Sequence, residues 1–303
     1  MKDIESTGSL VPPTAAEDPL LPKLVVNVAG KERALHLQTF GNPVNPPLFV
    51  LPGGPGADFR LLLPLKALAD SFYVVMWDPR GAGLSERVPK EELSFDSFME
   101  EVTAVKRAIS PANRISLLGH SYGGLFATRY TGENPEAVSR LILIEPGQMN
   151  PADKTGYNGG AISFIDGQGF FWTNEVLTSS DHNAADYKAI DLLPKSSRNF
   201  TCDRSIVHNY PMWRFGSYQY YILTKNARHL TAADKWSNNI EGFSGKITVI
   251  AGTCGAASEN FQINHVLPYL PRAQLKVIGG AGHLSLFTDH STQLVQQVRN
   301  ALR

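Results

Sequence analysis

A serine framed by glycines two positions before it and two after, Gly119-His120-Ser121-Tyr122-Gly123, has the clearest chemical potential in this sequence. The pattern suits a strand that turns sharply into a helix and holds the serine in a strained conformation with its Oγ projecting outward. Flanking glycines let the backbone pass close to its neighbours there. The apolar run RISLL precedes the motif, and a stretch with helical spacing follows it. Ser121 is therefore the expected nucleophile of an acyl transfer. That chemistry builds negative charge on the substrate oxygen, so two backbone N–H groups must already point at it. One is expected from Tyr122. The other is expected from Leu51-Pro52-Gly53-Gly54-Pro55-Gly56, with Gly54 as the donor, 67 residues before Ser121. A base must take the serine proton and return it to the leaving group, which suits an imidazole near its natural pKa. Of eight histidines, His283 alone follows the final apolar run in a glycine-rich loop, Gly279-Gly280-Ala281-Gly282-His283. His120 reads as a packed histidine inside the motif.

Four segments, LPGGPG, WDPRGAGLS (77–85), GHSYGG and GAGH, together resemble the proline iminopeptidase branch of the α/β-hydrolases. The resemblance covers residues 23–145 and 246–302 and leaves out the stretch between them. It implies the α/β-hydrolase fold: a mostly parallel central sheet, helices on both faces and an inserted, mainly helical cap. It also implies a serine mechanism without cofactor, acting on a small ester or a short peptide. By the same resemblance Asp78 and Arg80 brace loops through ion pairing. Pro52 stands where many relatives carry histidine.

A third group is needed to fix the tautomer of His283 and to stabilise its imidazolium. In most members of the resembled fold this carboxylate follows the strand that here reads KITVIAG. This chain continues Gly252-Thr253-Cys254-Gly255, with glycine at the expected aspartate. Glu145 ends the apolar run LILI one strand earlier, and certain haloalkane dehalogenases carry their acid at that strand end. A carboxylate there is expected to be partly buried and to need a partner. Glu145 is the first candidate. Glu259 and the absence of a direct acid remain open, as does a hinge glutamate paired with an arginine such as Arg140.

The elements that must position these residues follow from periodicity. Residues 23–29 and 33–40 alternate and form a hairpin turned at Gly30. Short apolar runs at 48–51, 72–78, 114–119, 141–144, 246–251 and 274–278 read as buried strands. Helical spacing marks 94–110, with Ser94 and Ser97 near its start as caps, and marks 121–133 and 288–302. Buried strands alternating with helices mean a parallel sheet covered on both faces. The alternation stops after Glu145 and resumes near Lys246. Residues 146–245 hold 15 of the 29 aromatics and short helical fragments at 186–193 and 217–223. They read as a cap over the C-terminal sheet edge, where ligands bind in open α/β sheets. The core is then 23–145 and 246–303, and residues 1–22, polar and Pro-rich, form a flexible lead-in.

Composition narrows the function classes. The 303 residues carry 28 Lys+Arg against 28 Asp+Glu, which gives no basic footprint for nucleic acid and no polybasic anchor. Two cysteines, Cys202 and Cys254, lack metal-site spacing and allow at most one bridge. No apolar run is long enough to span a bilayer, and the N-terminus lacks a signal-peptide core. The default location is cytoplasmic, and an exported chain with its signal removed is compatible. Oligomeric state is left open. Two activities follow, a carboxylesterase or an aminopeptidase; the contrasting reading is a ligand-binding protein on the same scaffold. An aminopeptidase must hold a free ammonium group, for which Asp153, Asp166, Glu175 and Asp203 are candidates among the scattered cap carboxylates, a pattern that more often marks a solvated face. An epoxide hydrolase or dehalogenase is disfavoured because both need aspartate where Ser121 stands.

Overall fold

Apolar runs without polar interruption dictate the centre of the molecule. The computed structural model describes residues 10–153, 155, 182–187, 189, 200–203, 205 and 211–303. Among the described residues eight strands form one sheet: β1 (Lys23–Val28), β2 (Lys31–Phe40), β3 (Pro47–Leu51), β4 (Tyr73–Trp77), β5 (Ile115–His120), β6 (Val138–Ile144), β7 (Lys246–Gly252) and β8 (Ala273–Ile278). Their order is β1-β2-β4-β3-β5-β6-β7-β8. The first two strands pair antiparallel, and β2 runs antiparallel to β4; every pairing from β4 onward is parallel. Ala29 and Gly30 both take positive φ between β1 and β2, which suits a tight hairpin.

The period-two alternation of strand side chains sorts the core into two layers. Phe49, Leu51, Val75, Trp77, Leu117, Leu141 and Val249 face one side, where they meet Val102, Val105, Phe126 and Tyr130. These come from α1 (Phe95–Ile109) and α2 (Tyr122–Glu133). Leu48, Val50, Val74, Met76, Leu118, Ile142 and Ile250 face the other side. They pack on a 3-10 helix (Phe59–Asp70) and on α5 (Ser291–Leu302), which follows α3 (Ser217–Ala227) and α4 (Glu259–His265) in the chain. A reciprocal capping box between Ser94 and Ser97 starts α1. The terminal helix α5 begins later than its periodicity predicts, because residues 288–290 make turns, with His290 N–H donating to the Ser285 carbonyl.

One sequence expectation meets a different arrangement, and one open point is settled. The lead-in is not loose over its described part: Val11, Thr14 and Ala15 are buried. Ala15 N–H donates to the Leu84 carbonyl, and Arg214 Nη1 donates to the Pro12 carbonyl at 2.9 Å. Two cysteines, open as to pairing, are joined as Cys202–Cys254. The helical expectation over 186–193 is met at residues 186, 187 and 189, in a helix described from 182, and its remainder falls outside the described residues. Asp166 and Glu175 also lie outside them. No helix among the described residues is long and apolar enough to cross a membrane.

Candidate active site

Strand β5 ends on His120, and the chain turns into α2 through Ser121, whose φ of 54° and ψ of −121° lie outside the regions open to most L-residues. Holding such a residue costs about 1–3 kcal/mol, so the surroundings must over-determine it. They do so through close backbone passage. A Cβ on Gly119 would stand 2.3 Å from the Gly123 carbonyl oxygen, and one on Gly123 would stand 2.3 Å from the Pro52 carbonyl oxygen. Ser121 N–H donates to the Ile144 carbonyl at 3.0 Å, and its own carbonyl accepts from Gly124 N–H at 2.9 Å.

The loop after β3 lies against this turn. A Cβ on Gly53 would come within 2.9 Å of the Ser121 Cβ, so this loop abuts the serine directly. Gly54 has φ +113° and precedes a cis peptide bond to Pro55. Gly56 is held from above: its N–H donates to Gln219 Oε1 and its carbonyl accepts from Gly216 N–H, both at 2.7 Å. Gln219 Nε2 in turn donates to the Arg80 carbonyl at 2.7 Å. One α3 side chain thereby ties the glycine loop to the segment after β4.

That segment is braced from below. Asp78 accepts from the backbone N–H of Phe59 and of Leu84 and from His36 Nδ1 at 2.7 Å. Arg80 faces Glu101 of α1 at 3.5 Å and donates to the Ser97 carbonyl, and Glu101 also accepts from Trp77 Nε1. Burial pushes the Glu101 carboxyl above the usual carboxylate range, against the pull of Arg80. Asp58 accepts the N–H groups of Arg60, Trp213 and Arg214. Its pKa is pushed up to about 8 by burial and then by the neighbouring Asp78.

The structure brings Glu145 and His283 together. His283 Nδ1 donates to Glu145 Oε2 at 2.7 Å, and Gly252 N–H donates to Glu145 Oε1 at 2.8 Å. The carboxylate, wholly buried, crosses the end of β7 to reach the loop after β8. Glu145 takes φ 40°, and its own N–H donates to the Ile250 carbonyl. An ionised carboxylate only accepts, so the proton on this contact belongs to His283 Nδ1 and Nε2 is left as an acceptor. Arg140, the other partner considered for Glu145, instead donates to the Arg303 carbonyl. Glu259 is half-buried in the first turn of α4.

Two rings flank His283. His120 stands 4.4 Å away, centroid to centroid, and Phe200 stands 4.9 Å away. His120 is thus part of the surroundings of His283 and not only a packed residue. Burial, and then the facing His283, holds the His120 ring well below the usual histidine range. Its Nε2 and the Tyr122 hydroxyl are buried without partners among the described residues. Burial, and then Tyr220, keeps the Tyr122 phenol protonated well beyond the ordinary tyrosine range.

Ser121, Tyr122, Gly53, Gly54 and His283 line one cavity of about 590 Å³. Its remaining walls are mainly apolar, with Leu61, Leu125, Met212, Phe215 and Trp236 among them. Two described carboxylates, Asp58 and Asp153, also line it. Asp153 bonds to Thr155 and to His265 Nδ1, and these contacts, Thr155 foremost, lower its pKa to about 2. Asp203 is exposed and accepts from Ser205. No group of three or more His, Cys, Asp or Glu among the described residues is placed to hold a metal ion.

Residues 46–290 match the model of the family described as alpha/beta hydrolase fold. Proline iminopeptidase of Heyndrickxia coagulans is 37% identical over 101 residues, which are 33% of this chain and 35% of that protein. The chain thus spans about a third of the length of the proline iminopeptidases it matches. Epoxide hydrolase 1 of Caenorhabditis elegans is 25% identical over 266 residues, 84% of this chain and 64% of that protein. The solved structure of the esterase EaEST from Exiguobacterium antarcticum superimposes with a TM-score of 0.68 at 16% identity, covering 92% of this chain and 99% of that one. Likeness at that identity speaks for the fold.

Proposed function

We propose that this chain, which belongs to the α/β-hydrolase family, is a serine hydrolase that cleaves a small ester or amide through an acyl-enzyme. The observation that carries the reading is the 2.7 Å contact between Glu145 and His283 at a cavity that Ser121 also lines. His283 Nε2 takes the proton of Ser121 Oγ as that oxygen attacks the substrate carbonyl. The N–H groups of Gly54 and Tyr122 receive the developing oxyanion. His283 Nε2 then gives the proton to the leaving atom, and water repeats the sequence on the acyl-enzyme. Glu145 keeps the proton on Nδ1 throughout and stabilises the imidazolium. Residues 146–245 act as the cap over core segments 23–145 and 246–303.

Among the described residues, the carboxylates at the cavity favour an ester over a peptide with a free amino terminus. An ammonium group needs a carboxylate with oxygens to spare. Asp58 is surrounded by three N–H donors, and Asp153 by Thr155 and His265. The peptidase reading rests on the proline iminopeptidase relatives. The ligand-binding reading rested on a missing acid, and Glu145 supplies a carboxylate at the base. Hydrolysis of p-nitrophenyl acetate and butyrate, beside proline and alanine arylamides, tests these readings. Ester turnover that Ser121→Ala abolishes is the expected result. Arylamide cleavage that requires a free amino terminus overturns the ester preference, and no turnover of any substrate overturns the enzyme reading.

A further inference from the structure

We propose that Phe200 forms the wall of the leaving-group subsite, selecting flat leaving groups, and that the Cys202–Cys254 disulfide holds it there. The inference rests on the serine hydrolase reading above. Phe200 comes from the stretch between β6 and β7, yet it is built into the loop that carries the base. Its carbonyl accepts His283 N–H at 3.0 Å, and its ring lies 4.9 Å from the His283 ring at 33° between planes. It also lines the cavity shared with Ser121. Two residues on, Cys202 is bonded to Cys254, and Cys254 N–H donates to the Ala281 carbonyl at 3.0 Å. The staple therefore joins Phe200, the turn after β7 and the loop of His283 into one unit.

The glycine at position 255 fits the same arrangement. A Cβ there would stand 2.9 Å from the Phe200 carbonyl carbon, and Gly255 takes φ +82°. The Phe200 backbone occupies the space into which a side chain at 255 would grow. A carboxylate for His283 must then arrive from elsewhere, and Glu145 reaches it across the end of β7. The displaced acid and the stapled phenylalanine are two sides of one rearrangement.

The chemistry names the subsite. The base returns its proton to the leaving atom, so that atom must come within hydrogen-bond reach of the His283 ring. A ring fixed beside His283 borders the leaving group, and the acyl group lies beyond the serine. Aromatic faces favour flat partners over puckered ones of equal size, by about threefold to tenfold for a single ring pair.

Benzyl butyrate and cyclohexylmethyl butyrate share an acyl group, so deacylation is common to both, and their alcohols are similar in size. The test is the ratio of their kcat/KM values for wild type, Phe200→Leu, Phe200→Tyr and the double variant Cys202→Ser/Cys254→Ser. Wild type is also assayed after dithiothreitol, which is oxidised to its cyclic disulfide as each cysteine gains one electron and one proton. Binding of the same esters to Ser121→Ala, with and without Phe200→Leu, gives a readout that needs no turnover. Expected are a benzyl preference in wild type, its loss by about threefold to tenfold in Phe200→Leu, and its retention in Phe200→Tyr. Opening the disulfide lowers the ratio in the same direction while the protein stays folded by circular dichroism. An unchanged ratio in Phe200→Leu, in turnover or in binding, overturns the subsite. An unchanged ratio after the disulfide is opened overturns the staple. Absence of hydrolysis by wild type, with the binding preference intact, overturns the serine hydrolase reading and with it the leaving-group assignment, whereas loss of the binding preference in wild type overturns the Phe200 wall itself.

Discussion

Replacing Glu145 by glutamine changes one charge and almost no volume, which isolates its part in the proposed triad. Both carboxylate oxygens are engaged, Oε1 by Gly252 N–H at 2.8 Å and Oε2 by His283 Nδ1 at 2.7 Å. An amide has only one acceptor oxygen. With that oxygen on Gly252, the NH₂ group faces Nδ1 and drives the proton of His283 to Nε2, the atom that must accept from Ser121. A wrong tautomer and a lost counter-charge together cost roughly 10³–10⁴ in kcat in triads of this kind, equivalent to about 4–5.5 kcal/mol in the barrier. KM should move by less than about threefold, because Glu145 makes no contact with bound substrate in this reading. Stability should fall by at most about 3 kcal/mol, the worth of one charge-assisted hydrogen bond. Steady-state kinetics on p-nitrophenyl butyrate with a parallel urea titration separates the two effects. Glu259→Gln serves as the control and should stay near wild type. A folded Glu145→Gln enzyme that keeps more than about a tenth of the wild-type kcat would refute the assignment.

Three other perturbations probe the surroundings. Gly53→Ala places a methyl 2.9 Å from the Ser121 Cβ, so kcat/KM should fall by about 100-fold while thermal unfolding changes little; an unaffected rate would mean that this loop does not set the serine position. Asp58 binds its proton more tightly in the folded chain, with its pKa raised to about 8, than in the unfolded chain. Stability should therefore fall as pH rises from about 4 to about 8 and level off above that, and Asp58→Asn should flatten the Tm profile across that window. Asp186 accepts from the half-buried Arg87 and the buried Arg214, so Asp186→Ala leaves two cations without their carboxylate. A loss of about 3–5 kcal/mol in urea unfolding is expected, and a change under about 1 kcal/mol would show that the cluster carries no such load.

The sheet was legible because its strands are apolar on both faces: β3 and β5 are buried at every position, so their sequences read as unbroken runs. Glu145 was legible for the converse reason, a carboxylate directly after LILI that could not stay unpartnered. The 3-10 helix over Phe59–Asp70 went unread, since Pro64 interrupts its apolar pattern while Asp58 caps it from a loop. The docking of residues 10–22 left no periodic signal, because it rests on backbone carbonyls such as that of Pro12 meeting Arg214. Pairing of Cys202 with Cys254 across 52 residues, and the packing of the His120 and Phe200 rings against His283, depend on where separate loops meet. Neither has a counterpart in local spacing.

The account stands on Ser121 as the atom that becomes acylated. Incubation with a fluorophosphonate, followed by intact-mass and peptide mass spectrometry, reads this directly, since the reagent traps an activated serine without turnover. The account predicts one adduct per chain, carried by the peptide that contains Ser121, absent in Ser121→Ala and strongly slowed in Glu145→Gln. Ester hydrolysis that persists in Ser121→Ala, or an adduct that forms on another residue, would contradict it.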